Sequence, residues 1–206
     1  MRRFLREQSL SLVFLAMFLA ALVGQAIAGH AEYNNEQIAH MSETVSFSRY
    51  LVSSEFGQAV MENWQSEYLQ FTTFILLTVW LVQKGSPESK KLDEIGPSSD
   101  NSPRTSWIRE NSLVVVMGSI WVGTWFAQSV TGWTAYNSEQ LDHHEQTVNW
   151  LGYITSADFW ETTLQNWQSE FLAVGSMAVL AIYLRQRGSP ESKPVGAPHE
   201  ATGVEG

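Results

Sequence analysis

Cysteine is absent from the chain. That excludes a disulfide framework, thiolate metal sites and thiol redox chemistry, while leaving the compartment open. Positive charge is scarce: 12 Lys and Arg stand against 21 Asp and Glu, a formal net charge of −9. A surface of that sign repels a phosphate backbone, so nucleic acid is not an expected partner. There is no P-loop, no H-E-x-x-H zinc motif and no Ser-His-Asp signature. Charge of either sign is absent from four segments, Leu10–Ile27, Leu69–Val82, Leu113–Val130 and Leu172–Leu184, and no histidine falls inside them. Neither a proton relay through a bilayer nor bis-histidine haem ligation has its residues there. No enzymatic activity is expected.

What is present is a sequence written twice. Each residue can be compared with the one 103 positions further on, without a gap. "REQSL" (Arg6–Leu10) then meets "RENSL" (Arg109–Leu113), and "YNNEQIAH" (Tyr33–His40) meets "YNSEQLDH" (Tyr136–His143). "NWQSEYL" (Asn63–Leu69) meets "NWQSEFL" (Asn166–Leu172), and "QKGSPESK" (Gln83–Lys90) meets "QRGSPESK" (Gln186–Lys193). Roughly a third of the aligned positions are identical, which points to tandem duplication of one unit.

Each copy has two apolar runs. The first, Leu10–Ile27 or Leu113–Val130, is about 18 residues long and just spans a hydrocarbon core as a helix. The second is shorter, and reaches spanning length only when it starts at Trp64 or Trp167. The expected architecture is therefore all-α and integral to the membrane. Four spans, at 10–28, 64–83, 113–131 and 167–185, form two tandem helical hairpins related as parallel repeats. The first repeat covers 1–90 and the second 105–193. The Ser-, Pro- and Gly-rich linker at 91–104 and the tail at 194–206 read as flexible and disordered. Gly-Ser-Pro after each second span reads as a helix stop with glycine at the cap. A cleavable signal at the N-terminus, ending Ala26-Ile27-Ala28, is the rival reading of the first run. The duplication argues against it, because the matching run lies mid-chain.

Eleven of the twelve Lys and Arg lie before the first run, between the second and third, or after the fourth; Arg49 is the exception. The positive-inside rule then puts both termini and the linker in the cytoplasm of a cell with the chain in its inner or plasma membrane. The loops at 29–63 and 132–166 face outside and are acidic. Lipid is the expected partner, with a second copy or another membrane protein as a further one. Nine tryptophans suit the membrane–water boundary, where Trp64 and Trp167 would anchor the second spans.

Small residues recur every fourth position on the first spans, as Ala16, Ala20, Gly24 and Ala28, then Ser119, Gly123, Ala127 and Thr131. They form a packing stripe between the copies or between protomers. Asn34 and Asn137 read as N-caps, with Glu36 and Glu139 in the first turn and Gln37 and Gln140 at the capping-box position. His40 and His143 follow one turn after those glutamates. A Glu and a His at i, i+4 share a face and could hold a divalent metal, though a solvated face is the plainer reading. Ser53 and Ser156 read as N-caps of the second helices. Glu67 and Glu170 then sit one turn below the anchoring tryptophans, where a carboxylate must be solvated, paired or protonated. If the two copies bring them together, they form a cation or proton site. Otherwise each reaches water or a neighbouring helix on its own.

The pattern RExxSL, YNxEQ, NWQSE[YF]L, GSPESK runs through nearly the whole chain. It resembles a family of bacterial multi-pass membrane proteins without an assigned activity. The resemblance implies membrane placement and transfers no functional residue.

Overall fold

A computed structural model describes residues 2–97 and 102–204, and every regular element among them is helical. Positions 98–101 of the expected linker and 205–206 of the expected tail lie outside the described residues. The helices are α1 (Arg2–Glu7), α2 (Ser9–Ala39), α3 (Phe47–Tyr50), α4 (Ser54–Trp80), α5 (Trp107–Glu110), α6 (Ser112–Asp142), α7 (Trp150–Ile154) and α8 (Ala157–Tyr183). α2 and α6 each have 31 residues, α4 and α8 each have 27, and the members of each pair start 103 positions apart.

α2 and α6 are long and apolar enough to cross a membrane, and only 6% and 11% of their apolar windows are buried. α4 and α8 are nearly as long but fall short in hydropathy, because each begins far ahead of its apolar run, at Ser54 and Ala157. Two helices of spanning character are therefore shown, where the apolar runs suggest four. All four long helices exceed the spans read from hydropathy: α2 and α6 continue past the apolar run through Glu, Gln and Ala, and α4 and α8 begin well ahead of it.

The described chain divides into two compact units, one of Met1–Val60 with Thr131–Asn149, the other of Met61–Val130 with Trp150–Gly206. In the first unit α2 runs straight through Asn34, so Asn34 is no N-cap, and Asn137 stands equally deep inside α6. The asparagines instead fasten the chain beyond each helix. Asn34 Oδ1 accepts the Val45 N–H at 2.8 Å and its Nδ2 donates to the Val45 carbonyl at 3.1 Å. Asn137 makes the same pair with Val148, both at 2.9 Å. His30 and Trp133 occupy equivalent positions, and Nε2 of His30 and Nε1 of Trp133 contact the same two carbonyls, at 2.8 and 2.7 Å. Indole N–H can only donate, and the shared geometry assigns the Nε2–H tautomer to His30.

Glu36 and Glu139 thus lie near helix C-termini, where the dipole disfavours acids, opposite to the sequence expectation. Both helices end in a left-handed turn. Met41 has φ +58° and His144 φ +59°. The N–H of Ser42 bonds the carbonyl of Gln37 and that of Met41 bonds Ile38, and Glu145 and His144 repeat this on Gln140 and Leu141. That is the two-bond Schellman stop, built here without glycine. Met41 is 97% exposed, so its side chain contributes little packing. Met41→Gly should therefore stabilise the fold by about 1 kcal/mol, by removing a Cβ from a left-handed position. Thermal unfolding in detergent checks this, and a lowered midpoint would contradict it.

Gly29 is needed for a close approach: a Cβ there would lie 2.2 Å from the Tyr50 hydroxyl. Tyr50 is buried in the first unit, against Tyr33 and Phe56.

In the second unit, Ser156 caps α8, its Oγ accepting the Phe159 N–H at 3.2 Å, and Ser53 meets Phe56 in the same way at 3.3 Å in the first unit. α4 and α8 stop at Trp80 and Tyr183, several residues ahead of Gly85 and Gly188. Those glycines, at φ +89° and +80°, turn the loops beyond and are not helix caps. Each GSPESK motif closes on itself: Ser89 Oγ accepts the Gln83 N–H and Ser192 Oγ the Gln186 N–H, both at 2.8 Å. The segment after Lys193, expected to be disordered, folds onto the Lys193 side chain, and Gly203 N–H bonds the Ser86 carbonyl at 3.0 Å.

Candidate functional site

The repeated phrase WQSE brings α4 and α8 together in the second unit, and its two copies play different parts. Gln65 and Ser66 are fully buried, whereas their twins Gln168 and Ser169 are exposed. Trp167 Nε1 donates to Gln65 Oε1 at 2.8 Å. Ser66 Oγ donates to the Asn63 carbonyl at 3.0 Å and reaches Glu170 Oε1 at 3.5 Å. Glu170 is half-buried and Glu67 exposed, and their carboxylates lie within electrostatic reach of each other. The structure thus brings the two predicted carboxylates into one neighbourhood, through Ser66. Trp167, expected at the lipid boundary, is hydrogen-bonded inside the helix pair, and Trp64 is half-buried.

The second unit buries further polar side chains that hydropathy did not disclose. Thr124, Gln128, Ser129 and Thr163 are buried with Gln65 and Ser66. Gln65 Nε2 and Thr163 Oγ1 have no hydrogen-bond partner among the described residues. Thr163 and Trp167 stand four apart on one face of α8. The signal available in sequence was the polarity of Gln65 and Ser66 inside a repeated phrase, but it could not tell which copy turns inward. α6 adds Trp121 and Trp125, stacked at 9° and 5.9 Å, and Trp125 meets Trp167 at 5.6 Å.

In the first unit the His40 and His143 rings meet edge-on, with centroids 5.4 Å apart. Glu139 Oε1 lies 3.9 Å from His143 Nε2. The expected set of Glu36, His40, Glu139 and His143 does not assemble as a metal centre: among the described residues no group of three or more His, Asp or Glu is placed to hold an ion. Each histidine immediately precedes the left-handed residue of its turn, and Glu36 and Glu139 are exposed. Near them, burial, and then the charges of Glu55 and Glu36, hold the Tyr50 hydroxyl above the usual tyrosine value.

The small-residue stripe is largely exposed. Ala16, Ala20, Gly24, Ala28, Ser119 and Gly123 are exposed, and a Cβ on Gly24 or Gly123 would meet nothing within 4 Å. Ala127 and Thr131 are half-buried. The residue buried on this part of α2 is Ala26.

An all-helical chain with two helices of spanning length and apolarity is the class that this fold defines. The family model described as Domain of unknown function (DUF6766) matches residues 1–204, and the chain belongs to that family. No curated protein and no solved structure matches it.

Proposed function

We propose that this is a non-enzymatic structural or sensory component of the inner or plasma membrane, built by tandem duplication, with four spans and both termini cytoplasmic. The observation that carries this reading is the apolar surface left uncovered on every long helix. On α2, Leu10, Phe14 and Met17 are exposed; on α4, Leu77 and Trp80; on α6, Val116 and Phe126; on α8, Leu172 and Leu180. Apolar surface on that scale needs lipid or a partner to cover it. At ~1.5 Å per residue, 27-residue helices reach about 40 Å, enough for a core and one headgroup layer. The polar first halves of α4 and α8 then lie at the outer surface, where their low hydropathy carries no penalty. The Gln65–Trp167 hydrogen bond joins the copies at the depth where a buried amide must find a partner.

Two labelled positions separate four spans from two. With four, Glu43→Cys is modified by an impermeant maleimide on intact cells and Asp93→Cys only after permeabilisation. With α2 and α6 alone crossing, both positions fall on one side and label together. The chain has no native cysteine to interfere. A second reading, a small cation or proton transporter, draws on the Glu67, Ser66 and Glu170 neighbourhood. It requires ion flux in liposomes that Glu170→Gln abolishes.

A further inference from the structure

We propose that the second unit carries a binding site for a quaternary ammonium group, in an open surface groove of about 300 Å³ lined by Trp125, Phe126, Trp150, Phe159 and Trp160, of which Phe126 and Trp160 are exposed. Ser129 is the one polar residue in the wall, and its hydroxyl already accepts the Trp150 Nε1–H at 3.2 Å. Trp125 faces Trp160 edge-on at 6.1 Å and lies nearly parallel to Phe159 at 6.3 Å. Phe126 meets Trp150 at 6.3 Å.

The chemistry of the wall selects the ligand. The Ser129 hydroxyl is engaged as donor and acceptor, and Trp125 Nε1, without a partner among the described residues, is buried away from the groove, so the groove does not suit sugars, nucleotides or anions, which must replace the hydrogen bonds they give up. Two classes fit, a purely apolar group and a cation covered by methyl groups. The ring faces favour the second. Tryptophan is the best cation–π partner, and aromatic cages are the recurring solution for quaternary ammonium. No charged residue lines the groove, and Asp158 and Glu161, next to Phe159 and Trp160 in sequence, are exposed.

The duplication supplies an internal control. At the equivalent positions the first copy has Leu22 for Trp125, Val23 for Phe126, Phe47 for Trp150 and Gly57 for Trp160. Gln58 stands where the second copy has Glu161. Gly57 is closed off, since a Cβ there would lie 3.0 Å from Thr131 Cγ2. The first copy thus keeps two rings, Phe47 and Phe56, and one carboxylate, Glu55, at these positions, whereas the second has five rings and two carboxylates. A general tryptophan preference for membrane boundaries would act on both copies alike.

Choline and its uncharged isostere 3,3-dimethylbutan-1-ol have the same shape, and isothermal titration of the full chain in detergent compares them directly. Choline should bind saturably, with the isostere about tenfold weaker or worse. Trp160→Leu keeps apolar bulk and removes a ring face; it should weaken choline about tenfold and leave the isostere unchanged. Equal binding of the two probes, no saturable choline binding, or an unaltered choline affinity in Trp160→Leu would each overturn the proposal. Lipid and solute sources of the same group are told apart in nanodiscs. If phosphatidylcholine nanodiscs block choline binding and phosphatidylglycerol nanodiscs do not, the lipid headgroup occupies the site; if neither blocks it, the ligand is a free solute. None of these outcomes depends on the number of spans, so failure here is distinguishable from failure of the membrane topology.

Discussion

Replacing Lys193 by methionine will release the C-terminal segment from the second unit. Lys193 is 1% exposed, which is extreme for a lysine. Its ammonium has three N–H donors and lies 2.5 to 3.3 Å from four carbonyls, those of Gly85, Pro198, His199 and Ala201, which share them. Methionine matches the length of the side chain and provides no donor. The Gly85 carbonyl would be left buried and the other three part-buried without this donor, at roughly 1–3 kcal/mol for each that cannot reach water. The segment will therefore open, exposing them, and the amides that hold it will exchange. Gly203 N–H on Ser86 O and Gly85 N–H on Thr202 Oγ1 report this directly. Hydrogen exchange and limited proteolysis across 194–204 should show loss of protection in Lys193→Met; unchanged protection would show that the ammonium is not what holds the segment. Lys90, its twin, has one of its contacts on the Gly96 carbonyl at 3.2 Å and is only half-buried, so Lys90→Met should do less. Burial, and then the Arg185 charge, push the Lys193 amine below the ordinary lysine value of 10.5, and the carbonyl contacts act against that push by favouring the ammonium.

Parts of this arrangement were legible in sequence and parts were not, for identifiable reasons. The length of α2 was underestimated because hydropathy stops at Ala28 while helix propensity does not, and Glu32, Glu36 and Gln37 continue the helix to Ala39. Asn34 was misread because an asparagine before Glu and Gln has the local look of a helix start. Its true partner, Val45, lies eleven residues away across a turn, a relation without periodicity. The duplicated WQSE phrase was plain, and so was its place on α4 and α8. The inward turn of Gln65 and the outward turn of Gln168 were not, since identical phrases have identical local preferences and only their neighbours differ. The tail after Gly188 has the composition of a tether. What folds it is a ring of backbone carbonyls around one amine, and backbone carbonyls leave no mark in sequence.

Asn137→Ala should detach the loop that follows α6. The Asn137 amide satisfies both backbone groups of Val148, the N–H through Oδ1 and the carbonyl through Nδ2. Alanine removes both bonds and leaves a part-buried N–H with no acceptor, at about 2 kcal/mol in all. That corresponds to about a thirtyfold faster exchange of the Val148 amide, as 1.4 kcal/mol is a factor of ten. The carbonyl is less affected, because Trp133 Nε1 continues to donate to it at 2.7 Å. Asn137→Asp separates the two halves of the effect. A carboxylate still accepts the N–H but repels the carbonyl, so protection should fall between wild type and Asn137→Ala. Adding Trp133→Phe to Asn137→Ala removes the last donor to Val148 O, and the two losses should exceed their sum, since they share one partner. The His40–His143 contact reads out the consequence, because His143 ends α6 just before this loop. If Val148 is as protected in Asn137→Ala as in the wild type, the asparagine is a passenger and the Schellman turn alone positions the loop. If protection falls while the histidine rings stay in contact, the turn sets the histidines and the asparagine sets only the loop. Loss of both would make Asn137, and by its identical geometry Asn34, the residue that organises the ends of α2 and α6.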